Sequence, residues 1–364
     1  MNTSLQEPSG PLLSYDIASR ACRSPKAEWQ PHAGQSEKSF EWWYVTALVH
    51  DAAGTPYFLV WLPVHFAGAK HLRAVKKIAE MLKPGQRLFI VNSALSNYRT
   101  GFHAADSEAV LVEEGALWNA ENNELKFSGG RGVENAWSYD GCGLNLHAKM
   151  PRYSFDLRMD GGERVMWPKD KHGVEGFIQE GAENDFSFYY SLPRLTTTGT
   201  LSYTDDAGQA HTVDVTGFGW VDRQWGDWLT SWWEWASWRF ANGARLNLYN
   251  FPGGHQVTTY QRADGTTEWL DGFIIRQNGY LKTPGGTWVS WGWSYELPVE
   301  VEGSRRFTVV PFSRNDNMHS GPVQFFEGAG QLIDDSSGQQ VGISVNESMD
   351  VQAMGNGPYG AQQR

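Results

Sequence analysis

The feature that most constrains this chain is a tryptophan-rich stretch near its middle. Residues 220–238, WVDRQWGDWLTSWWEWASW, hold seven tryptophans and four charged side chains. Each indole buries a large apolar area and carries an N–H group that needs an acceptor. Such a run belongs in a core or a cavity wall, where a charged residue is costly to bury unless it is paired or used in function. The stretch therefore predicts an apolar pocket that contains an acid.

Composition favours a protein built from short strands. The 364 residues include 18 Trp, 14 Tyr, 18 Phe and 40 Gly, and aromatic residues prefer strands whereas glycine prefers turns. The length suits two domains or one large all-β unit. A single helix is predicted in 72–82, where Leu72, Val75, Ala79 and Leu82 recur at three- and four-residue steps. We expect an all-β fold with one short helix in its N-terminal half.

The order of the segments predicts four parts. Residues 1–38 are polar, contain proline and lack a periodic pattern, so we expect an extended N-terminal arm there. A threonine- and glycine-rich segment at 196–200 predicts the seam between two β-domains. The N-terminal β-domain then comprises 39–198, the C-terminal β-domain comprises 199–350, and 351–364 form a tail.

Charge and motifs exclude several classes of function. A net charge of −11 disfavours binding to nucleic acid or to anionic lipid. The two cysteines, Cys22 and Cys142, are far apart and form no CxxC pair, and the histidines lack the HxH and HExxH spacings of metal sites. No dinucleotide-binding glycine motif and no G-x-S-x-G elbow is present. With neither a signal-peptide pattern nor a membrane-spanning window, we expect a cytoplasmic protein, and the histidine and cysteine spacings predict no metal site.

Four ordered motifs resemble one family. They are FEWWY at 40–44, FSFYYSLPRL at 186–195, GFGWVDRQWG at 217–226, and WEW at 233–235 followed by Asn-Gly and a leucine. Together they resemble the carotenoid 1,2-hydratase family and the AttH-like lipocalin proteins. Fungal polyketide Diels–Alderases and kievitone hydratase-type proteins are more distant relatives. The resemblance implies two lipocalin-like antiparallel β-barrel domains in tandem, a cavity for a ligand, and no metal or organic cofactor.

Asp222 is the candidate catalytic acid. Alternate residues of a strand share a face, so Trp220, Asp222 and Gln224 are expected on one face. Arg223 and Trp225 are expected on the other. Burial among indoles raises the pKa of a carboxyl group, so Asp222 could give its proton to an isolated alkene and leave a cation that aromatic faces stabilise. The alternative is a structural carboxylate paired with Arg223.

The remaining candidates surround this acid in the sequence motifs. Glu41 is either a second acid or the buried partner of an arginine, Arg194 or Arg223. Tyr190 is either a donor to a substrate carbonyl or a core tyrosine whose hydroxyl is satisfied. We expect the substrate to contact a set of aromatic and polar side chains: Trp42, Trp43, Tyr44, His65, Trp220, Gln224, Trp225, Trp233, Trp235 and Asn250.

Three functions remain open at this stage. The first is a cofactor-independent hydratase or lyase that acts on a C=C bond of a hydrophobic isoprenoid- or polyketide-like molecule. The second is a cyclase of the Diels–Alderase type, in which the pocket folds a polyene chain. The third is a non-catalytic, lipocalin-like carrier of an apolar ligand. The sequence does not distinguish the substrate or the oligomeric state.

Overall fold

The computed structural model describes residues 25–32, 37–68, 77, 80–180, 185–228, 232–320 and 323–354. The helix predicted at 72–82 lies mostly outside the described residues. The last ten residues of the predicted tail and the first 24 of the predicted arm also lie outside them. In the described part of the chain, none of the helices is long and apolar enough to cross a membrane.

The first sheet contains twelve strands within the described residues, and its neighbours pair antiparallel. Their spatial order is β4-β3-β2-β1-β12-β11-β9-β8-β7-β6-β5, with β10 beside β11. A short helix, α1 (Glu114–Leu117), joins β4 to β5. The strands are β1 (Ser39–His50), β2 (Pro56–Phe66), β3 (Gln86–Asn97), β4 (Phe102–Glu113), β5 (Trp118–Asn119), β6 (Glu124–Ser128), β7 (Glu134–Tyr139), β8 (Gly143–Lys149), β9 (Tyr153–Asp160), β10 (Phe177–Gln179), β11 (Phe186–Thr204) and β12 (Ala210–Asp227).

This sheet curls on itself into a half-barrel. Its two ends approach where β4 meets the turn after β6: Arg131 Nε donates to Glu108 Oε2 at 2.8 Å. Gly129 belongs to the same turn, and a methyl group added there would come within 2.9 Å of Val110 Cγ2. The concave side is filled by large rings, including Trp43, Trp61 and Trp137.

The second sheet follows β12 in the chain and is also antiparallel. Its order is β16-β15-β14-β13-β24-β23-β21-β20-β17, with β22 beside β23, and β18 and β19 form a separate pair. Its own core contains Trp238, Trp293 and Phe307. The strands are β13 (Glu234–Phe240), β14 (Arg245–Asn250), β15 (Gln256–Gln261), β16 (Thr267–Leu270), β17 (Ile274–Gln277), β18 (Tyr280–Lys282), β19 (Trp288–Ser290), β20 (Trp293–Val301), β21 (Ser304–Pro311), β22 (Asn317–Ser320), β23 (Val323–Asp334) and β24 (Gln339–Ser348).

The all-β fold class predicted from the sequence is confirmed. The predicted seam at 198/199, however, falls inside β11, which pairs with β12 on both sides of that point. Threonines are β-branched and favour strands. Gly199 lets β9 approach so closely that a Cβ atom there would lie 2.0 Å from the carbonyl oxygen of Asp156. Since strand pairing changes sheet between Asp227 and Glu234, we propose that the domains divide there.

The two sheets pack through the convex side of the first. We call the residues between them the intersheet face. Trp42 contacts Trp233 with ring centroids 5.8 Å apart, and Tyr189 contacts Tyr249 edge to face at 5.7 Å. Because side chains of β1, β11 and β12 alternate, each of these strands contributes to both the concave core and the intersheet face.

Part of the predicted arm is packed against the concave core. Trp29 is fully buried there, with its ring 5.1 Å from that of Tyr139. Its carbonyl oxygen accepts a hydrogen bond from Trp43 Nε1 at 3.0 Å. Residues 25–32 are therefore not an exposed extension, because one indole in this otherwise polar segment finds an apolar site in the half-barrel.

Replacing Trp29 should destabilise the first sheet. Trp29→Ala leaves a cavity among aromatic rings, for which we expect a loss of about 3–5 kcal/mol in the free energy of unfolding. Chemical denaturation measures this change. Met81→Ala removes an exposed apolar side chain and serves as the control. Equal stabilities of the two variants would contradict the packing of residues 25–32.

Candidate functional site

Asp222 lies on the intersheet face, in the middle of the first sheet. Its register partners are Tyr44 on β1 and Ser191 on β11, so all three side chains project toward the second sheet. The residue is 2% exposed. Trp220 Nε1 donates to Asp222 Oδ1 at 2.6 Å, and the hydroxyls of Ser191 and Tyr189 are further hydrogen-bond partners.

The environment of Asp222 favours its protonated form. Burial raises the pKa of Asp222 to about 7, although the hydrogen bonds from Ser191, Tyr189 and Trp220 act in the opposite direction. Arg223, its neighbour in sequence, projects into the concave core and does not offset this effect. A substantial fraction of Asp222 is therefore a neutral acid near pH 7.

Aromatic rings from both sheets surround this acid. Trp235 on β13 meets Tyr44 edge to face at 5.3 Å and Trp220 at 6.2 Å. Trp42 belongs to the same face, and its ring contacts Trp228 at 5.2 Å. The predicted members of the substrate-contacting set that lie on this face are Trp42, Tyr44, Trp220, Gln224, Trp233 and Trp235.

Gln224 belongs to a second polar group on the intersheet face. Its Nε2 donates to Glu180 Oε1 at 2.6 Å and to Ser187 Oγ at 2.8 Å, while its Oε1 accepts from Tyr249 at 3.1 Å. Burial raises the pKa of Glu180 to about 8. Sequence analysis missed Glu180, which precedes the recognised motif and stands in no pattern that marks a buried acid.

Two further acids missed by sequence analysis are Glu327 on β23 and Glu347 on β24. They are register partners in the second sheet. Tyr44 donates its hydroxyl proton to Glu327 Oε1 at 2.5 Å, which links this pair to the row that contains Asp222. The strands around both residues are evident in the sequence, but their position opposite Asp222 depends on how the sheets pack.

Glu41 lies on the opposite face, inside the concave core. Arg223 donates to Glu41 Oε2 at 2.5 Å, and His65 Nδ1 lies 2.6 Å from Glu41 Oε1. The backbone N–H of His32 donates to both carboxyl oxygens at 3.1 Å. Burial by itself would raise the pKa of Glu41, but Arg223 and the hydrogen bonds from His32 and His65 outweigh it and hold that pKa well below its ordinary value.

The sheet separates five predicted site residues from Asp222. Tyr190 donates its hydroxyl to the carbonyl of Pro25 at 2.9 Å, as a core tyrosine does. The period of two along each strand places their side chains on the concave side, because each is an even number of residues away from a concave residue on its own strand, or in register with one on a neighbouring strand. The five are Glu41, Trp43, His65, Tyr190 and Trp225.

Two more predicted residues lie away from Asp222. Arg194 Nε donates to Gln261 Oε1 at 2.7 Å and its Nη1 donates to the carbonyl of Gly243 at 2.6 Å, so Arg194 connects the first sheet to the second. The arginine that pairs with Glu41 is therefore Arg223 and not Arg194. Asn250 accepts from Gln256 at 3.0 Å. It alternates with Tyr249 and therefore faces away from the first sheet.

Removing the charge of Glu41 should leave Arg223 buried without its ionised partner. We expect Glu41→Gln to cost about 3–5 kcal/mol of unfolding free energy at neutral pH. Because the pKa of Glu41 is lowered, its contribution is complete above pH 4.5 and disappears as the pH falls through the lowered value. The unfolding free energies of variant and wild type, measured by denaturation, should therefore converge in acid.

Glu114→Gln, which removes an exposed partner of Arg87, is the control. A difference in unfolding free energy between Glu41→Gln and wild type that stays the same at every pH would contradict the prediction.

The chain resembles proteins of known structure over most of its length. No curated protein sequence matches it. A protein assigned as AttH from Nitrosomonas europaea has 18% sequence identity and a TM-score of 0.68, over 85% of this chain and 91% of that one. Kievitone hydratase from Nectria haematococca has 14% identity and a TM-score of 0.60, over 85% and 88%. CghA has 11% identity and a TM-score of 0.51, over 86% and 88%.

At these identities the structural likeness establishes the fold. The sequence motifs carry the family relationship, and the AttH-like family model matches residues 23–343. Since that match covers most of the chain, this protein belongs to the AttH-like family.

Proposed function

We propose that this protein is a cofactor-independent hydratase that adds water across a C=C bond of a hydrophobic isoprenoid- or polyketide-like molecule. The observation that supports this most directly is the carboxyl group of Asp222, which is buried among aromatic rings between the sheets with its pKa raised to about 7. A substantial fraction of such an acid keeps its proton at neutral pH.

Asp222 acts as the proton donor. The π electron pair of the alkene takes the proton of Asp222, one carbon gains a C–H bond and the other becomes a tertiary cation. The faces of Trp220 and Trp235 stabilise that cation, each by about 2 kcal/mol where water is excluded. Water then adds to the cation. Trp220 Nε1, which donates to Asp222 Oδ1 at 2.6 Å, stabilises the carboxylate that remains.

The family supports a reaction of this class. A structural relative is kievitone hydratase, and the fold alone is shared at 14% identity. The intersheet face offers mainly rings and isolated polar atoms, which suits a largely apolar ligand with few oxygens.

A cyclase is the second candidate, favoured by the group around Gln224. Its amide donates to Glu180, Tyr249 of the second sheet donates to its Oε1, and Tyr189 is its register partner on β11. Donors of this kind could polarise a carbonyl of a polyene. In such a reaction, correct orientation of the reacting ends supplies up to roughly 7–11 kcal/mol of the barrier.

Asp222→Asn should abolish hydration with little change in fold, because the amide keeps the shape of the side chain but cannot give up a proton to carbon. We expect a loss of about 10²- to 10⁴-fold in rate. The probes are kievitone, geranylgeraniol and lycopene, and mass spectrometry detects the gain of one water. Asp316→Asn is the matched control, since burial also raises the pKa of Asp316 to about 7.

The same variant separates the three functions. A hydratase loses activity, whereas a cyclase that works by shape converts its polyene as before. A carrier binds the probes and returns them unchanged from both the wild type and the variant. Full hydration by Asp222→Asn would contradict the assignment of Asp222 as the acid.

The pH dependence of alkene protonation gives an independent test. Only the protonated form of Asp222 is active, so the rate should be constant in acid and decline as the pH rises through about 7. Single-turnover incorporation of deuterium from D2O into a probe measures this step. A rate that increases with pH over this range would show that a base, and not Asp222, starts the reaction.

A further inference from the structure

The Glu327 and Glu347 pair faces Asp222 from the second sheet and has no part in the reaction as described so far. The two residues stand directly opposite each other on β23 and β24, and Trp235 is the register partner of Glu347 on β13. Glu327 is 2% exposed, while Glu347 keeps partial exposure. Tyr44, opposite Asp222 on β1, donates to Glu327. The pair is thus one hydroxyl group away from the row of the proposed acid.

Two carboxylates in this position cannot both be charged at low cost. Burial, and then the charge of Glu347, raises the pKa of Glu327 well above its ordinary value. Burial raises the pKa of Glu347 to about 7, and the negative charge of Asp222 adds to that increase. Near neutral pH the pair therefore retains a proton, and Glu347 is the member that ionises first as the pH rises.

One carboxyl oxygen of this pair, Glu327 Oε2, is buried and has no hydrogen-bond partner in the described part of the chain. A buried polar atom without a partner is costly, and a small donor such as water satisfies it.

We propose that the Glu327–Glu347 pair holds the water molecule that adds to the substrate and accepts the proton that this water loses. The inference rests on the proposed hydratase function and extends it to the second half of the reaction. Water donates a hydrogen bond to the charged member of the pair and accepts one from the protonated member. Its oxygen is then held with a free lone pair toward the cation.

The step balances without any other reactant. Asp222 gives one proton to the alkene carbon, and the oxygen lone pair of water forms the C–O bond with the cation. One O–H bond of that water breaks, its electron pair stays on oxygen, and the proton goes to the charged carboxylate of the pair. Asp222 is then one proton short and the pair has one in excess, so transfer of that proton back to Asp222 restores the enzyme.

The proposal is tested in D2O by measuring how much of the cation is captured by water and how much returns to the alkene. When water capture fails, the cation returns a proton or deuteron and gives back the alkene with deuterium in it. In Glu347→Gln the remaining Glu327 is neutral, so hydration of a probe should fall about 10²- to 10⁴-fold while deuterium still enters the recovered alkene. Glu327→Gln should be milder, because Glu347 stays charged and the amide can still donate to water.

Two variants make the result specific to the pair. Asp222→Asn should lose hydration and deuterium incorporation together. Glu234→Gln is the matched control, because Glu234 is a buried glutamate of the second sheet that accepts from Trp293 Nε1 at 3.1 Å, on the side of the second core. It should leave the ratio of the two products unchanged. Parallel loss of both activities in Glu347→Gln, or full hydration by it, would overturn the proposed role.

A crystal structure of the substrate-free protein separates this proposal from the proposed function. A water molecule within hydrogen-bond distance of both carboxyl groups is expected, and direct contact of the two carboxyl groups without water would overturn the inference. If the wild type neither hydrates nor deuterates kievitone, geranylgeraniol or lycopene although that water is present, then the hydratase assignment is wrong and the water site stands.

Discussion

Removal of carboxyl groups from water is the constraint on which the rest of this structure depends. The protein meets it in two ways at neighbouring positions of β12. On the concave side, Arg223 of β12 and two histidines surround Glu41 of β1, which therefore stays ionised. One residue from Arg223, Asp222 faces the second sheet, where burial raises its pKa to about 7. Pairing gives a group that stabilises the fold, whereas protonation gives an acid that can react.

This difference between the two faces of β12 explains why the candidate site lies between the sheets and not inside the half-barrel. The concave core is filled by Trp29, Trp43, Trp61 and Trp137, and charged groups within it are paired. The intersheet face combines aromatic rings from both sheets with acids whose pKa values are raised. A reaction there would depend on both halves of the chain, as in the step proposed for Glu327 and Glu347.

Local patterns were sufficient for several of these features. Aromatic and glycine content predicted the all-β class, and alternation in 220–225 placed Asp222 and Arg223 on opposite faces, as the structure has them. The predicted seam at 198/199 falls inside β11, because threonine and glycine occur in strands as well as in linkers. Here they continue β11, in which Gly199 permits close contact with β9.

The sequence by itself determined the family, the fold class, and a buried acid in a tryptophan-rich strand, since each follows from motifs or from side-chain period along one segment. Only the tertiary structure decided which face of that strand meets the second sheet. It thereby separated Glu41 and Tyr190 from Asp222 and brought Glu327, Glu347 and Glu180 to the intersheet face. The physical reason is that alternation along a strand shows which side chains share a face but does not show what that face contacts. Which face encloses a core and which meets another sheet depends on curvature and packing between residues far apart in the chain.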